Sequence, residues 1–191
     1  MQRLATLLLF VLIAACQPAY IHGRPNLNSP YFQVPTDSKL VLKQEVTVDA
    51  GQKSAYFQRG KLVKWFNVQK FEAYCALALD RKADAEQTVK PGEFDVYRVH
   101  NESLFTLAKK RNAPTDDFRV QTVGMRDNSQ DSYQVMAVLM ELRSTTQSNV
   151  KRLTCASWVI PQGMQSVTVN GIRASLGDYA TLNLPPMAQK P

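Results

Sequence analysis

Histidine is almost absent from this chain, with two in 191 residues, and cysteine is scarce, with three. No Cys-x-x-Cys and no closely spaced histidine pair occurs, which excludes the common zinc frameworks. A Gly-x-Ser-x-Gly elbow, a Gly-rich phosphate loop and a His-Glu-x-x-His pair are also missing, so the usual local signatures of hydrolases and nucleotide enzymes are absent. Long apolar runs are lacking too. The longest, from Leu4 to Ala15, falls short of the roughly 20 residues that a membrane-spanning helix needs.

What that run does offer is an export signal. Arg3 supplies a positive charge, the apolar core is short, and small residues precede Cys16. The tetrapeptide Ile13-Ala14-Ala15-Cys16 resembles the lipobox of bacterial lipoproteins. This resemblance implies that residues 1–15 are removed and that the Cys16 thiol receives a diacylglyceryl group. The alternative is an ordinary secretory signal with an incidental cysteine. Acylation would matter physically, because each buried CH₂ contributes about 0.8 kcal/mol and two or three chains hold a domain on a bilayer almost permanently. Gln17 follows the cysteine where an Asp, in enteric lipoproteins, would retain the chain in the inner membrane; the resemblance therefore implies the outer membrane.

Removing fifteen of the 191 residues leaves 176 and, with Arg3 gone, lowers the formal net charge from +7 to +6. That length suits one domain with a sizeable core. The charge fits an anionic lipid, an acidic protein or an acidic polymer, and also ordinary solubilising surface. Export sets nucleic acid aside as a partner. With Cys16 committed to lipid, Cys75 and Cys155 remain, and in an oxidising compartment an even pair reads most simply as a disulfide. Bridging positions 80 residues apart would stabilise the fold by about 4.5 kcal/mol on the loop-entropy argument. Two buried free thiols or a pair of metal ligands are the other readings.

Pro18, Pro25, Pro30 and Pro35 punctuate residues 16–38, which therefore form neither a long helix nor a central strand. The segment reads as a tether with a reach on the order of 60 Å, shorter if Tyr31, Phe32 and Val34 pack onto the domain. A β-rich domain is expected over residues 39–184. Leu40, Leu42, Val46 and Val48 alternate with mostly polar neighbours, predicting one half-buried strand over 39–48. Residues 54–58 and 61–65 flank Arg59-Gly60, the spacing of a tight hairpin. Further strands are predicted at 71–79, with Cys75 toward the core, at 93–99, and in shorter form at 104–107 and 118–123, the last two separated by a charged loop.

Residues 133–144 combine helix-favouring side chains with the look of a buried strand. Their short polar link to residues 150–160 favours a hairpin. Thr168 is placed to cap one short helix carrying Val169, Ile172 and Leu176, with Gly177 at its end. A further extended piece covers 178–184, and Pro185-Pro186 ends the ordered part, leaving 185–191 as a tail. The expected fold is mainly β: an antiparallel sandwich or small barrel with one C-terminal helix and one disulfide.

Candidate chemistry is thin. His22 lies in the expected tether, where nothing rigid orients it. His100 ends a predicted strand beside Glu102 and is the best centre for a dispersed enzyme site, although a lone histidine there is usually a surface residue. The stretch 127–131 has the acids of a calcium loop without its Gly and Glu, so it is set aside. No catalytic residue, metal or cofactor is assigned. What remains is YFQRGKLVKWFNVQKF, residues 56–71, where Arg59, Lys61, Lys64 and Lys70 alternate with Tyr56, Phe57, Trp65, Phe66 and Phe71. Arg59, Lys61, Lys64 and Trp65 are the candidate contacts for an anionic glycan, a lipid headgroup or a partner protein. The plainer reading buries Trp65 and Phe66 while the lysines protect an edge strand.

The lipobox, the Pro-rich entry, YFQRGKLV, Tyr74-Cys75, Leu153-Thr154-Cys155 and ASLGDYATL together resemble a family of proteobacterial outer-membrane lipoproteins without an assigned activity. The resemblance covers most of the mature chain and implies the location and the disulfide. The function expected is a non-catalytic interaction or assembly module, lipid-anchored to the outer membrane, facing the periplasm and meeting an envelope protein. A lipid- or glycan-binding domain is the alternative, and a dispersed enzyme the third.

Overall fold

A computed structural model describes residues 26–107, 132–159 and 167–186, with the side chains of 104–107, 132 and 133 excepted. The lipobox with Cys16, His22, the expected strand at 118–123, the charged loop before it, the stretch 127–131 and residues 187–191 lie outside the described residues.

Among the described residues ten strands and one α-helix follow one another: β1 (Lys39–Leu42), β2 (Val46–Val48), β3 (Ser54–Gln58), β4 (Lys61–Val63), a 3₁₀ turn (Trp65–Asn67), β5 (Tyr74–Leu79), β6 (Gln87–Val89), β7 (Gly92–Leu107), β8 (Ser132–Arg143), β9 (Val150–Val159), α1 (Val169–Leu176) and β10 (Ala180–Asn183). Eight of the strands form one antiparallel sheet in the order β10-β1-β7-β8-β9-β5-β3-β4, while β2 and β6 pair separately. The fold is mainly antiparallel β with one helix and a disulfide, as expected, and its sheet curls into a half-barrel.

Why the sheet curls follows from where α1 sits. The helix packs against β3 and β5 near one edge of the sheet and against β10 at the other. An element of eight residues can touch both sides only if the sheet wraps around it. Val169, Ile172 and Leu176 enter the main core at spacings of three and four, among Leu40, Phe57, Leu77, Phe94, Met140 and Leu182. Thr168 accepts the Gly171 N–H at 3.0 Å, satisfying one of the free donors of the first turn. Arg173 donates from Nε and Nη2 to the Leu182 carbonyl at 3.1 and 2.9 Å, fastening β10 to the helix.

Cys75 and Cys155 face each other across β5 and β9 and are joined, both fully buried, on the side that holds α1. The β8–β9 hairpin is present, with Ala137 opposite Ala156 and Met140 opposite Leu153. Buried residues on both faces explain why residues 133–144 also looked helical.

Several expected strands differ in extent. Residues 39–48 form two strands: Lys43 and Gln44 turn their N–H groups to the Tyr179 carbonyl, and β2 leaves for β6. The alternation of Leu40, Leu42, Val46 and Val48 runs through the break because it encodes a face and not a partner. Residues 93–99 and 104–107 form one strand of 16 residues with an irregularity between Val96 and Arg98. Beyond Asp95, β7 has lost β1 as a neighbour, so polar His100 to Ser103 stand where a strand edge tolerates them. The strand expected from residue 71 begins at Tyr74, because the Glu72 N–H closes a turn on the Gln69 carbonyl.

The described part of the entry segment, residues 26–38, lies on the domain. Val34 is buried, Phe32 and Leu27 pack on the core, and Asn170 holds Leu27 and Asn28 through its backbone and side-chain amides. Tyr31 alone of the expected three aromatic or apolar contacts stays outside, 90% exposed.

Gly177 leaves α1 with φ +54, and its backbone touches Gly60 in the β3–β4 turn so closely that a methyl there would lie 2.3 Å from the Gly60 Cα. Gly177→Ala is expected to destabilise far more than Gly51→Ala, which shares a positive φ but has open space around it. Urea midpoints of the two variants measure this; equal shifts would show that the contact is unimportant.

Candidate functional site

The basic and aromatic segment begins at the β3–β4 turn. Gln58 pairs with Lys61, so Arg59 and Gly60 make a two-residue loop, and both have positive φ, at 53 and 72 degrees. This is the geometry of a type I′ turn, in which Asn-Gly is the common solution and arginine pays a steric penalty of about 1 kcal/mol. Arg59 is held there by a bidentate pair with Glu72, in which Nε donates to Oε2 at 2.7 Å and Nη2 to Oε1. The Gly60 N–H donates to the Ser175 carbonyl at 3.1 Å, tying the turn to α1.

From β4 the chain crosses the outer face of the sheet through residues 64–73 before entering β5. A buried side chain sets its path. Gln58 accepts the Gln69 N–H at 2.9 Å and donates to the Gln69 carbonyl at 2.9 Å, a side-chain imitation of a β-bridge. Ser175 brings its hydroxyl 3.0 Å from the Ala73 carbonyl, and the Trp158 N–H donates to the Lys70 carbonyl at 2.7 Å. Braced at 69, 70 and 73, the loop lies over a second apolar cluster made of Val68, Tyr74, Val135, Ala137, Leu139 and Ala156.

Aromatic rings fill the space between loop and sheet. Trp65 lies 5.2 Å from the Tyr56 ring and 6.0 Å from Tyr74, edge-on to the latter, while Phe71 meets Trp158 edge-on at 6.4 Å. Lys70 Nζ stands over two indoles, 5.4 Å from Trp65 and 4.8 Å from Trp158. Beneath them Tyr74 is buried, and its hydroxyl makes no hydrogen bond of standard geometry among the described residues. Burial raises the phenol well above its usual range, and the Trp158 side chain opposes that only in part.

The four contacts predicted from sequence thus share one edge of the molecule without sharing one fate. Trp65 is half-buried against the sheet, Arg59 is paired with Glu72, Lys64 bonds Asp49 at 3.1 Å, and Lys61 is exposed on the edge strand β4. Phe66 is 79% exposed, contrary to the reading that buried it, and Phe71 is 59% exposed. Sequence reasoning missed Gln58, Tyr74 and Trp158 as parts of this surface. Gln58 carried a signal, a polar residue in an apolar strand, but its partners lie eleven and fifteen residues away.

Compared with known proteins, the chain matches no family model, no curated protein and no solved structure. The site is therefore read from its own geometry. His100 and Glu102 stand on the same face of β7, opposite Leu139 and Ala137, and both are exposed. Among the described residues no hydrogen bond or ion pair joins them, and no group of three or more His, Cys, Asp or Glu is close enough to hold a metal ion.

Two measurements check this geometry. Replacing Tyr74 by Phe removes a buried hydroxyl that lacks a good partner, so stability should change by less than about 1 kcal/mol; a larger loss would reveal a hydrogen bond there. The hydrogen bond from Arg59, with its charge, holds the Glu72 carboxyl below its usual 4.5. That contribution is complete above pH 4.5 and disappears as pH falls through the lowered value. An NMR titration should find the Glu72 midpoint below 4.5 and see it return in Arg59→Ala; an unchanged midpoint would dissolve the pairing.

Proposed function

We propose that the mature chain is a lipid-anchored, non-catalytic lipoprotein of the bacterial outer membrane, facing the periplasm and acting as an interaction or assembly module. One observation carries this reading. The segment that follows the lipobox is seated on the domain from Asn26 onward, through Leu27, Asn28 and Val34. An acylated Cys16 would then be ten residues from a fixed point, at most about 35 Å of extended chain. A domain held so closely works beside its membrane and meets partners there. No helix among the described residues is long and apolar enough to cross a bilayer. The exposed Phe66 and Phe71, on a segment that also carries the exposed Lys61, favour, as a second reading, an envelope lipid or glycan as the ligand.

Cys16→Ser is expected to abolish lipid modification, to block normal processing and to release the protein from the membrane fraction. Mass spectrometry of the N-terminal peptide and fractionation read both effects. Normal processing and retention of the variant would sink the anchor, and crosslinked membranes that repeatedly give up no protein partner would sink the module.

A further inference from the structure

Phe66 and Phe71 are large apolar side chains that a folded domain leaves in water, and they stand on one short loop. Between residues 59 and 72 there are four basic side chains, Arg59, Lys61, Lys64 and Lys70, against Glu72 alone. Asp49 answers Lys64, which still leaves an excess of positive charge. Exposed rings set among cations have the composition that binds the boundary between water and an anionic bilayer: the rings enter the headgroup layer while the cations meet phosphate.

Rigidity and position select the bilayer over other ligands. The loop is pinned from beneath by Gln58, Ser175 and the Trp158 backbone, so Phe66 and Phe71 are held out on a fixed base. It also lies next to the place where the chain enters the domain. Asn170 binds Leu27 and Asn28, and a methyl on the adjacent Gly171 would lie 3.5 Å from the Ala73 side chain, two residues from Phe71. The entry point and the aromatic loop thus share one end of the molecule.

We propose that residues 64–71, with Phe66 and Phe71 as apolar contacts and Lys61, Lys64 and Lys70 as the cations of the same stretch of chain, dock onto the anionic headgroup layer of the bilayer that holds the Cys16 anchor. This rests on the lipid anchor put forward above. Docking fixes the orientation of the domain, with the loop facing the membrane.

Trp65 and Trp158 lie beneath the docking residues and report their surroundings. The acylated full-length mature protein, purified from membranes in detergent, is reconstituted into vesicles of phosphatidylethanolamine and phosphatidylglycerol containing brominated phospholipid. Tryptophan fluorescence is expected to be quenched, and the quenching to be lost in Phe66→Ser with Lys61→Glu, in vesicles of phosphatidylcholine alone, and in high salt. Tyr97→Ser, an exposed aromatic elsewhere, should leave it intact. Vesicle flotation and the mass of the N-terminal peptide come from the same preparation. An acylated, floating protein whose tryptophans are not quenched, or are quenched equally in neutral vesicles, overturns the docking and spares the anchor. A peptide without acyl chains overturns both. Photocrosslinking from position 66 to a protein or glycan in native membranes, with no lipid adduct, also overturns the docking.

Discussion

The burial of one short helical face holds the molecule in its shape. An open sheet of eight strands has two edges and no reason to stop at a half-turn of curvature. Ile172 and Leu176 supply that reason, because they complete the core only if β3, β5 and β10 all reach them. The curl in turn gives the sheet an inside, where the main core and the disulfide lie, and an outside that needs a separate cover. The loop over residues 64–73 is part of that cover, and its shape derives from the helix as well: Ser175, on α1, reaches both Gly60 and Ala73. Core, turn and outer loop are therefore parts of one mechanical arrangement.

Much of this was legible in the residues. The capped helix was written in Thr168, in the spacing of Val169, Ile172 and Leu176, and in Gly177, since all of these act within one or two turns of chain. The Arg59-Gly60 hairpin and the β8–β9 hairpin were equally local. Long-range choices left weaker marks. Nothing in the alternation over residues 39–48 says that β2 abandons β1's sheet, because the same faces are buried before and after the break. The polar run at residues 100–103 looked like an interruption, and only the pairing order shows it to be an unaccompanied stretch of strand.

The outer surface shows the same division. Cations and aromatics over residues 56–71 could be read as a cluster, but which of them face solvent depends on partners from other strands. Tyr56 and Tyr74 take in Trp65; Glu72 and Asp49 take up Arg59 and Lys64. Phe66 and Phe71 stay outside because residues 65–67 form a 3₁₀ turn and 69–72 a second turn, so neither ring sits on a strand that could direct it inward. A period of two, applied to this stretch, assigns Phe71 to the core for want of knowing where the strand begins.

The order of strands also bears on how the chain is assembled in time. β9 slots between β5 and β8, yet it is made after both, so β5 spends most of synthesis with β3 as its one native neighbour. Cys75 reaches its partner only after another 80 residues have emerged. A chain delivered amino end first therefore has an unmated thiol and an unmated strand edge until nearly the whole protein is present. The joining of β5 to β8 is a late event, governed by the arrival of β9.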